Sequence, residues 1–150
     1  MIGIGESNKL KCEREITMHL KIIHSIRANN FNDEHVMQKI NDMWKNASSE
    51  LSEHEDNIYG LYHEYESDYK GDYTLSVAIE GTNESSIKIA NYTTYEVFKV
   101  NADAEQGIFN TWSDIWNMEK EGQLERAYTY DFEKYKPDGA IEIYIAVKGK

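Results

Sequence analysis

Residues 126–148 read RAYTYDFEKYKPDGAIEIYIAVK, two extended runs joined by a short turn. In the second run Ile141, Ile143, Ile145 and Val147 alternate with Glu142, Tyr144, Ala146 and Lys148, so one face is apolar and the other carries chemistry. Pro137, the only proline, stands with Asp138 and Gly139 in the connection, where a fixed φ and a permissive glycine favour a turn and would harm a strand interior. Just before it, Asp131, Phe132, Glu133 and Tyr135 put carboxylates and aromatic rings side by side.

The pattern occurs once earlier. Residues 58–81, IYGLYHEYESDYKGDYTLSVAIEG, form a second pair of extended runs, and a shift of about 67 residues sets Tyr65-Glu66 over Phe132-Glu133. Ahead of each pair lies a stretch with helical period: Val36, Ile40, Met43, Trp44, Ala47 and Leu51 in the first, Ile108, Trp112, Ile115 and Trp116 in the second. Ahead of each helix lies another extended run, residues 15–27 and residues 92–100. The adjacent Ile22 and Ile23 interrupt the alternation of the first and mark a bulge or its end. The chain thus predicts strand, helix, strand, strand, written twice: an α+β fold of antiparallel sheets. Asn32 or Asp33 is expected to cap the first helix, and Asn101 or Asp103 the second.

Composition limits the functions open to it. At 150 residues the chain can bury a real core and suits one compact domain over residues 1–150, built from repeats at about 15–81 and 88–148 with a flexible link, GTNESS, between them. Residues 1–13 are expected to be a loose lead-in. No run is long and apolar enough for a membrane span, and the start does not resemble a signal peptide. The single cysteine, Cys12, excludes an internal disulfide, so a cytoplasmic location is expected. His19 and His24 lack partners at metal-ligand spacing, and neither a metal nor a cofactor is expected. A net charge of −11 argues against direct nucleic acid binding, which needs clustered Lys and Arg, and suits a cationic partner.

Taken together, TWSDIW, DFEKY, EIYIAV and YGLYHEYESDYKGDYTLSV resemble the GyrI-like small-molecule-binding superfamily over nearly the whole chain. That superfamily includes the effector-binding domains of multidrug-responsive transcription activators and free-standing integron-associated effector-binding proteins. The resemblance implies two strand-helix-strand-strand repeats related by a pseudo-twofold, with both main helices on one side and a ligand cleft on the other. It also implies that Glu133, in the phenylalanine-glutamate motif, lies at the base of an aromatic-lined pocket for lipophilic cations, and offers Glu142 and Tyr144 from the last strand. The family's regulators carry a separate helical DNA-binding domain. None is read in this sequence, so transcription regulation would act through another chain.

The residues support the same reading without the family. If the helices cover Ile141, Ile143 and Ile145, Glu142 and Tyr144 face the cleft, and carboxylates among rings attract a delocalised cation by charge and by the ring quadrupole. Glu66 enters by repeat symmetry. Tyr62, Tyr95 and Trp116 complete the candidate ligand-binding set, while Trp44 and Trp112 are expected to be core rings. The partner so implied is a small lipophilic or aromatic cation. Two other readings stay open: paired glutamates could act as acid and base in opening strained electrophilic rings, or the protein could be an interaction module for a regulator or a topoisomerase, as in the gyrase-inhibiting branch. The sequence does not set an oligomeric state.

Overall fold

The computed structural model describes residues 18–81, 87–90 and 93–148. Within them the chain runs β1 (Met18–Ala28), α1 (Val36–Glu50), β2 (Ile58–His63), β3 (Tyr73–Glu80), β4 (Ile87–Ile89), β5 (Tyr95–Lys99), α2 (Gly107–Lys120), β6 (Asp131–Tyr135) and β7 (Ile141–Ala146). The expected lead-in and linking residues 82–86 lie outside the described residues. The strands form one antiparallel sheet in the order β4-β1-β3-β2-β6-β7-β5. Without the short β4, which the sequence pattern missed, the order reads alike from either end. The strand-helix-strand-strand unit β1-α1-β2-β3 is followed by β5-α2-β6-β7, and the two meet where β2 pairs β6.

Local sequence explains the register. The pairing of β1 with β3 slips between Ile22 and His24, at the doubled isoleucine. Between β6 and β7, Lys136 donates its N–H to the Ala140 carbonyl (2.9 Å) and Gly139 its N–H to the Lys136 carbonyl (3.0 Å), closing a tight loop. Gly139 has φ +94, which side chains disfavour. This loop sets Tyr135 opposite Ile141 and Glu133 opposite Ile143. Neither helix takes its expected side-chain cap. Asp33 instead accepts from the His35 N–H and pairs with Lys39, and Asn101 accepts from the Asp103 N–H.

Both helices pack on the same face of the sheet. Met43 and Ala47 of α1 bury against Ala28, Tyr73, Leu75 and Val77, and Trp112 and Ile115 of α2 against Ile143 and Ile145. The opposite face is also closed. Leu20, Tyr59, Leu61, Ala78, Ile89 and Phe132 are buried there, with Tyr95, Tyr130 and Tyr144 packed against them.

That second core corrects the expected side of the cleft. Register places Glu133 beside Ile143 on the helix face, whereas Glu142 and Tyr144 point to the other, where Tyr144 stacks on Phe132 at 4.6 Å. Because both faces of the sheet are apolar, alternation alone could not say which one held the open space.

Candidate functional site

A cavity of about 1180 Å³ opens between α1 and α2, floored by the central strands β2 and β6. It is larger than most small-molecule pockets, which run to about 300–1000 Å³. Its walls are rings: Trp44 from α1, Trp112 and Trp116 from α2, and Tyr62, Tyr73 and Tyr135 from the sheet. Trp44 meets Tyr135 edge-on at 5.1 Å, and Tyr62 meets Trp112 at 5.1 Å and Tyr73 at 5.5 Å, so the lining is held by its own contacts.

Glu133 lies among these rings and is only 3% exposed. Its Oε2 accepts from the Tyr62 hydroxyl (2.8 Å) and the Trp112 indole N–H (2.8 Å), and its Oε1 from the Tyr135 hydroxyl (2.7 Å). All three donors are neutral. Among the described residues no cationic side chain forms an ion pair with it. Burial pushes its carboxyl above the ordinary value of 4.5, and the three donated hydrogen bonds work in the opposite direction. Burial likewise drives the Tyr62 and Tyr135 hydroxyls upward, so both remain protonated donors at neutral pH.

The strand opposite makes room for this carboxylate. Gly60 pairs with Glu133, and a Cβ there would stand 3.0 Å from Glu133 Oε1 and 3.2 Å from a Trp44 ring carbon. Both neighbours are held in place, so Gly60→Ala should cost about 1–3 kcal/mol through overpacking. Urea denaturation of the variant checks this, and a neutral effect would show that the carboxylate can shift freely.

A second buried charge borders the cavity. Arg126, whose side chain is 2% exposed, donates from Nη2 to Asp131 Oδ2 at 2.8 Å, and Asp131 is completely buried. Tyr65 also donates its hydroxyl to Asp131, and the Ala146 N–H donates to Oδ1 at 2.7 Å. The guanidinium lies over the Tyr128 ring at 4.3 Å, with Trp112 at 5.7 Å; Tyr128 reaches it from a left-handed backbone, φ +56. Burial opposes the Arg126 charge most strongly, but Asp131 with Tyr65 and Tyr128 together outweigh it and hold the pKa above its ordinary value. Glu119 also stands 3.7 Å from the Arg126 guanidinium, so Arg126 is already engaged by carboxylates, and Glu133 is the buried carboxyl of the cavity lining that has no cationic partner among the described residues.

The candidate residues therefore divide. Glu133, Tyr62 and Trp116 line the cavity together. Glu142 and Tyr144 bond to each other (3.1 Å) on the opposite face, where Glu142 also meets Lys136 at 3.3 Å. Tyr95 packs there against Phe132 and Tyr144 and donates to the Tyr130 carbonyl. Glu66 is exposed in the β2–β3 connection and accepts from the Asp72 N–H. It is not the counterpart of Glu133, because nine residues, 64–72, join β2 to β3 while five, 136–140, join β6 to β7. Trp112, Tyr135, Tyr65 and Arg126 were missed. Tyr135 was legible, since two positions from Glu133 on one strand means the same face.

Comparison with known proteins agrees with this architecture. Residues 17–147 match the profile of a family described as integron-associated effector binding protein. A putative transcriptional regulator protein, YobU of Bacillus subtilis (strain 168), is 31% identical over 124 residues, covering 71% of this chain and 75% of its own length. The crystal structure of an integron cassette protein from the mobile metagenome of Vibrio cholerae aligns with a TM-score of 0.65 and 27% identity, covering 88% of this chain and 96% of that one.

Proposed function

The chain belongs to the family of integron-associated effector binding proteins, and on that premise we propose that it captures a small lipophilic or aromatic cation in the cavity between α1 and α2, anchored on Glu133. The observation that carries this reading is a buried carboxylate met only by neutral donors, inside a cavity walled by rings. A carboxylate so placed is costly to ionise without a counter-charge, and a ligand cation supplies one. The surrounding Trp and Tyr faces add cation–π attraction of about 0.5–2 kcal/mol per good contact. A delocalised cation suits such a site better than a compact, strongly hydrated one, because less hydration is lost on entry. The Bacillus relative is named as a putative transcriptional regulator, which fits a role in which the captured molecule is a signal.

A thermal-shift screen of lipophilic cations, neutral compounds of like shape and anions tests the reading. Cations should raise the melting temperature further as their affinity and concentration increase, and the other two classes should not. A panel in which neutral compounds stabilise as strongly as cations would contradict it.

The proposal also fixes a pH dependence. Folding raises the pKa of Glu133, so its neutral form stabilises the unliganded fold fully below the unfolded value, and that contribution is lost as the pH rises through the folded value. A proton and a cation compete for the same carboxylate. Affinity for a permanently charged cation should therefore fall as the pH drops through the raised pKa of Glu133 and level off above it. Titrations from acid to neutral pH measure this, and a flat profile would place the anchor elsewhere.

A further inference from the structure

Exposed apolar side chains are ordinary when scattered, but here they converge. Of the four large apolar residues left most exposed among the described residues, three stand in the lining of one cavity: Phe31 at 58%, Met37 at 64% and Phe109 at 57%. Phe31 and Met37 come from the first repeat and Phe109 from the second, so the opening is bordered from both sides.

Phe31 is held there by construction. The buried Asn29 accepts from the N–H groups of Phe31 and Asn32, both at 2.8 Å, and donates to the Lys70 carbonyl (3.1 Å) and Asp72 (2.9 Å). The ring of Phe31 also meets Tyr69 edge-on at 5.8 Å. On the other side rings lead inward without a break. Phe109 meets Trp116 at 6.3 Å, Trp116 meets Trp112 at 6.2 Å, and Trp112 meets Tyr62 at 5.1 Å. The last two rings hold Glu133.

We infer that Phe31, Met37 and Phe109 bind the apolar body of an elongated amphiphilic cation whose charged head lies at Glu133, and that these residues set the ligand length the protein prefers. The inference rests on the cation reading above and deepens it. A compact ion at Glu133 would leave a cavity of about 1180 Å³ largely unfilled and its rim in water. An apolar body running along the ring series fills the volume and covers the three exposed side chains.

The test is calorimetry on the full chain with butyl- and octyltrimethylammonium, kept below micelle-forming concentrations. The octyl ion should bind at least about tenfold more tightly, since each buried methylene adds to affinity. In the doubly substituted Phe31→Ala/Phe109→Ala protein that octyl-to-butyl ratio should shrink by about tenfold. The substituted side chains are exposed, so folding should be retained, and circular dichroism confirms it. Butyl binding with no octyl gain, or a gain that survives the double substitution, overturns this inference alone. Failure of both ions to bind the unsubstituted protein defeats the cation reading and this inference with it. Concentration-dependent self-association abolished by the substitutions, with the octyl gain intact, would mark the rim as a protein-docking surface and overturn the inference.

Discussion

Glu133→Gln protein will fold as the parent does and bind lipophilic cations at least about tenfold more weakly. The expected loss follows from the charge removed, about 1.5–3 kcal/mol for an interaction with a charged group, where tenfold is about 1.4 kcal/mol. Retention of the fold follows from the donors. The amide oxygen can keep the bonds from Tyr62 and Trp112, which share one carboxylate oxygen, and the amide nitrogen then faces the Tyr135 hydroxyl, which can turn to accept. Near neutral pH the unliganded variant should also be slightly more stable, because it no longer carries a carboxylate whose ionisation burial disfavours. Titration of a lipophilic cation, with urea denaturation of both proteins, reads affinity and stability separately.

The largest stability effect is expected at Arg126→Met. Methionine can keep part of the packing between Tyr128 and Trp112, but it leaves Asp131 buried with no cation. Breaking a buried pair on one side costs about 3–5 kcal/mol, far above the 0–1 kcal/mol of a surface pair. The urea midpoint should fall accordingly at unchanged slope. A loss below about 1 kcal/mol would mean that Tyr65 and the Ala146 N–H suffice to hold the carboxylate.

Much of this architecture was legible because its signals are local. Apolar residues at helical spacing gave α1 and α2, alternation gave β2, β3 and β7, and the doubled isoleucine marked an irregularity in β1, a bulge or the strand's end, which is a register shift within the strand. Facing was harder, because it depends on how far each hairpin loop shifts the register. The Pro137-Asp138-Gly139 loop brings Glu133 into line with Ile143, and a loop one residue longer would have joined it to Glu142 or Tyr144. The ring-lined site had a similar ambiguity. Trp112 serves core and cavity at once, burying its rings against Ile143 and Ile145 while its N–H holds Glu133, and helical spacing cannot distinguish those roles. Arg126 gave no pattern to follow, since its partner Asp131 and its ring contacts Tyr65 and Trp112 come together only through the pairing of β2 with β6 and the packing of α2.

The claim that Glu133 reads positive charge is tested most directly by a calorimetric comparison of phenyltrimethylammonium with tert-butylbenzene, which match in shape and differ in charge. The parent protein should prefer the cation by at least about tenfold, roughly 1.4 kcal/mol, and the Glu133→Gln protein should lose most of that preference. An undiminished preference for the cation in the folded Glu133→Gln protein would contradict it.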